Sequence, residues 1–191
     1  MTRQLDNRDA LIVVDVQNDF CPGGTLAVPE GDRVVGVLND WIALATAEGL
    51  PVVASRDWHP PGHCSFADQG GPWPEHCVRE TAGAAFHPDL RLPQNALIIN
   101  KGEAVEHDNY SAFDDTGLAD RLHARGVERI WIGGLAQDVC VRASVLDACE
   151  AGFDTRLIAD ATRAVDVSPG DGERALEAMR AAGARIETTT G

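Results

Sequence analysis

The chain is 191 residues long and carries 30 acidic against 16 basic side chains, a formal net charge of −14. Its apolar fraction of 44% and charged fraction of 24% are those of a globular protein, and exclude a disordered chain, which lacks the apolar residues to offset its ordering entropy. The acidic excess argues against duplex nucleic acid, which needs clustered Lys and Arg, and against an anionic membrane surface.

At this length a single domain over residues 1–191 is expected, burying roughly 70% of its unfolded surface. No apolar run approaches the ~18 residues of a membrane span. The polar stretch Met1–Asp9 lacks the cationic start and apolar core of a signal peptide. Cys21, Cys64, Cys77, Cys140 and Cys149 cannot all pair internally and show no CxxC spacing. A cytoplasmic protein with free thiols is the expectation.

In chain order, Ala10–Val16 (ALIVVDV) is a near-continuous β-branched run that suits a strand buried on both faces. Val34–Glu48 has helical spacing and stops at Gly49. Pro51–Ser55 is a second strand, followed by a Pro-, Gly- and His-rich insertion from Arg56 to Pro93, too long for a simple connector. Ala96–Asn100 is a third strand, Thr116–Arg125 a helix, Arg129–Leu135 a fourth strand and Asp138–Glu150 a helix. Thr155–Asp160, a helix over Gly172–Ala182 and Ala184–Thr189 close the series. This alternation predicts an α/β fold, a doubly wound three-layer sandwich on a mostly parallel sheet of about six strands.

In such sheets ligands bind beyond the carboxyl ends of the strands. Those ends carry polar residues that core packing does not require: Asp15, then Asp57 and His59, then Lys101, then Cys140 at the start of a helix. A helix start favours a thiolate, a neighbouring Lys strengthens that preference, and an Asp can accept the thiol proton. This set suits acyl transfer through a thioester, although Cys140 as a small core residue and Asp15 as a loop cap stay open. Cys149 reads as structural.

Asp57, His59, His63 and His76 form a mixed N/O set for Zn²⁺, Fe²⁺ or Mn²⁺, with solvated loop histidines as the plainer alternative. Aromatic residues make up 5% of the chain, yet Phe20, Trp58, Trp73 and Tyr110 fall in loops beside these polar groups, where a flat ligand can stack. The rival from another class is a non-catalytic metal or thiol sensor, which has no need of Asp15 and Lys101.

Five segments in order, VDVQNDFCPGGTLAV, SRDWHPPGHCSF, GGPWPEHCV, KG…DNYSAF and GGLAQDVCVRAS, resemble nicotinamidases of the isochorismatase-like hydrolase superfamily. The resemblance implies hydrolysis of nicotinamide to nicotinate and ammonia through a cysteine thioester, in NAD salvage, with pyrazinamide as a second substrate. It implies a catalytic triad of Asp15, Lys101 and Cys140. It also implies a cis peptide between Leu135 and Ala136, with the N–H groups of Ala136 and Cys140 as oxyanion hole. A divalent metal, zinc first, is implied on Asp57, His59 and His76, with His63 a ligand only in some members. Phe20, Trp73 and Tyr110 match positions that enclose the pyridine ring, and Gln137 stands where many relatives have Thr. Members range from monomers to larger assemblies, so a homo-oligomer stays open. The rival within the superfamily is an amidohydrolase of a ureido or carbamoyl substrate.

Overall fold

The strand β1 (Asp9–Val14) is buried at every position, and its side chains alternate between two cores. Leu11 and Val13 face one side with Leu38, Trp41 and Ile42 of helix α1 (Val34–Ala47). Ala10, Ile12 and Val14 face the other, with Leu118, Leu122, Val145, Ala175 and Met179. Those residues come from helices α2 (Leu118–His123), α3 (Arg142–Glu150) and α4 (Asp171–Ala181). The remaining strands are β2 (Val52–Asp57), β3 (Leu97–Lys101), β4 (Arg129–Leu135), β5 (Asp154–Arg163) and β6 (Arg185–Glu187).

All six strands pair in parallel in the order β3-β2-β1-β4-β5-β6. The chain runs outward from β1 to β3, then crosses back to β4, so the order reverses between β1 and β4. That reversal opens a crevice at the carboxyl ends of the two central strands. Asp15 leaves β1 there, and Cys140 follows β4. The computed structural model describes residues 5–189. The first four residues of the polar N-terminal stretch and the last two of the expected domain lie outside the described residues.

Several boundaries differ from expectation. The strand β1 ends at Val14, because Asp15 adopts a left-handed conformation (φ 49°) that a ladder cannot continue. The helix expected over Asp138–Glu150 opens as a π turn, Gln137–Val141, before α3 begins. The helix expected over Thr116–Arg125 is confined to α2, its N-terminus set by Gly117 at φ 67°. Strand β5 runs past Asp160 to Arg163, with a register shift opposite Ile132 and Gly134 of β4. The expected Ala184–Thr189 strand narrows to β6, which pairs only with the stretch Arg156–Ile158. Among the described residues no helix is long and apolar enough to cross a membrane.

Candidate active site

Strand ends and one turn bring Asp15, Lys101 and Cys140 together, all buried. Lys101 Nζ lies 2.8 Å from Asp15 Oδ2, 2.7 Å from Asp57 Oδ1 and 3.4 Å from Cys140 Sγ, and donates to the Tyr110 carbonyl at 3.0 Å. Ser55 Oγ donates to Asp15 Oδ1 at 2.7 Å. A buried ammonium is costly unless paired, and here two carboxylates pair it.

The electrostatics follow from this packing. Burial alone would lower the Lys101 pKa, but Asp15 and Asp57 outweigh it and hold it well above the usual lysine range. Burial pushes the Asp15 carboxyl above its ordinary range, Lys101 opposing and Asp57 reinforcing the effect. Burial likewise pushes the Cys140 thiol well up against the pull of Lys101, with Asp15 and Asp57 adding to it. Desolvation and two carboxylates thus outweigh one ammonium and favour the thiol form of Cys140, whose proton Asp15 is placed to accept.

Asp57, His59 and His76 converge on the far side of Lys101, and each offers a donor atom within 4.8 Å of the others. Both histidines turn Nε2 to Asp57 Oδ2, at 3.5 and 3.7 Å. Their Nδ1 atoms meet backbone carbonyls, His59 with Gly102 at 3.0 Å and His76 with Pro74 at 2.7 Å. With Nδ1–H donating, each Nε2 presents a lone pair to the same point, as a metal-binding histidine does. Asp57 is held well below the ordinary carboxylate range: burial would raise it, but the Lys101 ammonium prevails. Two imidazoles and a carboxylate on one point therefore fit a divalent cation.

His63 is not in that group. Its Nδ1 lies 2.8 Å from Ser65 Oγ and its Nε2 3.0 Å from the His107 carbonyl, and its ring stacks on His59 at 4.0 Å. Its donor atom instead clusters with those of His59 and Asp108.

A narrow, partly open hollow lies beside Cys140, lined by Phe20, Trp73, Tyr110, Ala136, Asp57 and His76. Trp73 Nε1–H donates to Tyr110 Oη at 3.1 Å, linking two of these lining residues. Trp58 is not among the lining residues; the Arg56 guanidinium lies 3.7 Å from its ring centroid. The Leu135–Ala136 peptide is cis. Beyond it, the Val139 and Val141 N–H groups both donate to the Ala136 carbonyl, each at 3.1 Å. Gln137 Nε2 donates to the Gly172 carbonyl at 3.0 Å, and the Asp138 carboxylate accepts from the Val165 and Asp166 N–H groups. The cysteine turn is thereby fastened to the first turn of α4 and the segment before it.

Residues 9–191 match the family profile described as the isochorismatase domain. The chain belongs to the isochorismatase family. Within that family it is 42% identical over 200 residues to the nicotinamidase of Escherichia coli (strain K12), covering 94% of each chain. Among solved structures, the pyrazinamidase of Pyrococcus horikoshii in complex with zinc superposes with a TM-score of 0.90 at 46% identity, covering 95% of this chain and 99% of that one. A protein from L. infantum in complex with nicotinate superposes at 0.89 with 35% identity, covering 100% and 98%.

Sequence reasoning missed Gln17 and Ser55 as site residues. Buried Gln17 brackets the Asp57 backbone, its Oε1 accepting the Asp57 N–H and its Nε2 donating to the Asp57 carbonyl, both at 2.8 Å. The available signal was a polar residue just beyond, or closing, an apolar strand run, the pattern that singled out Asp15.

Proposed function

We propose that the protein is a nicotinamidase, hydrolysing nicotinamide to nicotinate and ammonia in NAD salvage, with pyrazinamide as a second substrate. One observation carries this reading: Cys140 Sγ sits within reach of Lys101 and Asp15 and faces an aromatic hollow whose other wall is Asp57 and His76. The similarity to a nicotinamidase of matching length supports it.

Asp15 takes the Cys140 proton as sulfur attacks the amide carbon, forming the C–S bond and placing negative charge on the carbonyl oxygen. The N–H groups of Ala136 and Cys140 receive that charge. Lys101 stabilises the carboxylate and the developing thiolate together. Asp15 returns its proton to the amide nitrogen as the C–N bond breaks, and ammonia leaves. Water then attacks the thioester, gives its proton to Asp15, and the C–S bond breaks as sulfur is reprotonated. Phe20, Trp73 and Tyr110 enclose the ring. Asp57, His59 and His76 would hold a divalent cation, zinc by its fit to two imidazoles and a carboxylate, which when bound supplies a Lewis-acidic anchor for the pyridine nitrogen. The free thiols suit a reducing, cytoplasmic compartment.

The test is ammonia release from nicotinamide by wild type and Cys140→Ala, with and without chelator. Loss of release in the variant is expected. Undiminished release by the variant, or faster turnover of an acyclic ureido amide by the wild type, would overturn the reading.

A further inference from the structure

Asp19 lies between β1 and α1, only 8% exposed, and forms no ion pair among the described residues. Its Oδ2 accepts the Cys77 N–H at 2.7 Å, and its Oδ1 accepts the Thr25 N–H at 3.4 Å. Its own N–H donates to the Gly83 carbonyl at 3.0 Å. A side chain on Gly83 would collide with the carboxylate, so the loop approaches Asp19 because residue 83 is glycine.

Cys77 directly follows His76 and is held at φ 46°, a left-handed conformation unfavourable for a side-chain-bearing residue. Both of its backbone groups are engaged. The N–H goes to the Asp19 carboxylate, and the carbonyl accepts the His59 N–H at 3.0 Å. The strained residue thus joins the backbones of His76 and His59, and a buried carboxylate from a segment 58 positions away clamps it. Phe20, the next residue after Asp19, brings its ring centroid to 5.7 Å from that of His76.

We propose that Asp19 is a positioning residue for the metal centre: by holding Cys77 in its left-handed conformation it aims His76 at the point shared with Asp57 and His59, and so sets the affinity for a divalent cation. This rests on reading Asp57, His59 and His76 as the metal group. A simple loop-closing role for Asp19 would leave metal affinity unchanged.

The test reads Zn²⁺ dissociation constants of the full-length protein by chelator competition, without substrate, with circular dichroism verifying the fold. Asp19→Ala is expected to weaken zinc about 10- to 100-fold, the range for losing a partner that orients a ligand. Asp19→Asn, which keeps an acceptor oxygen, is expected to lose less. Adding Cys77→Gly to Asp19→Ala is expected to recover at least about threefold, because glycine enters the left-handed region without a side-chain clash. Wild-type zinc affinity in Asp19→Ala would overturn the proposal, as would a loss that Cys77→Gly leaves untouched. Should Asp19→Ala not fold, Gly83→Ala displaces the carboxylate without removing it, and wild-type affinity in both Gly83→Ala and Asp19→Asn overturns the proposal. His76→Ala separates the two readings: if it binds zinc as wild type does, the metal group itself is wrong and the role of Asp19 falls with it.

Discussion

Asp57 and Lys101 meet at 2.7 Å through Asp57 Oδ1, while the other carboxylate oxygen faces His59 and His76. One carboxylate therefore belongs both to the candidate metal group and to the charge cluster around the thiol. Removing it perturbs two functions, whereas removing a histidine perturbs one. With saturating zinc, His76→Ala is expected mainly to raise KM for nicotinamide. Asp57→Ala is expected to lower kcat by a further ~10-fold or more, because Lys101 loses one of its two carboxylates. Steady-state kinetics on both variants checks this, and equal kcat in the two would contradict it.

Ser55 is expected to shape the acid side of the pH profile. Its hydroxyl donates to Asp15 Oδ1 at 2.7 Å and favours the ionised carboxylate, which burial otherwise pushes toward protonation. In Ser55→Ala the Asp15 pKa rises further, and Asp15 must be ionised to accept the thiol proton. The acid limb of kcat/KM is therefore expected to move to higher pH, with loss greatest at low pH and least on the alkaline plateau. A uniform loss across pH would refute this role.

Trp73 and Tyr110, which both line the hollow, are joined by a hydrogen bond of 3.1 Å. Tyr110→Phe keeps the ring and deletes the acceptor. A few-fold rise in KM with kcat retained is expected, since about 0.5–1.5 kcal/mol of positioning is lost. A collapse of kcat would instead place the hydroxyl in the chemistry.

Leu38 is fully buried on α1, its Cδ2 3.0 Å from where a side chain on Gly133 of β4 would begin. Leu38→Ala is expected to destabilise the protein by about 2–5 kcal/mol through lost burial and a cavity. Urea unfolding measures it, and the zinc affinity of the folded fraction should stay unchanged because Leu38, on α1, is not one of the donors Asp57, His59 and His76.

The strands were legible because burial on two faces demands apolar, β-branched runs, a local pattern carried in ALIVVDV and RIWIGGL. Asp15 and Lys101 stood out because each interrupts or ends such a run, and Cys140 because it opens the helix after one, where a parallel sheet binds ligands. The family likeness, carried by short ordered segments, supplied the residue roles. The balance of charges around the Cys140 thiol was not legible, because a helix start and a lysine are visible in the chain while burial and the approach of Asp57 are not. The place of His63 was undecided for a similar reason: spacing brings it near His59, but side-chain bonds to Ser65 and His107 turn it away from Asp57.

The sequence by itself determined the layered α/β fold and the four strand ends that carry chemistry, since both follow from periodicity and from the rule that parallel strands present their carboxyl ends together. Only the tertiary structure decided which oxygen of Asp57 serves Lys101, and which carboxylate holds Cys77 in a left-handed turn. Those contacts join segments 44 and 58 residues apart. They arise from the need to satisfy buried polar groups after the chain has folded, a requirement that no local pattern encodes.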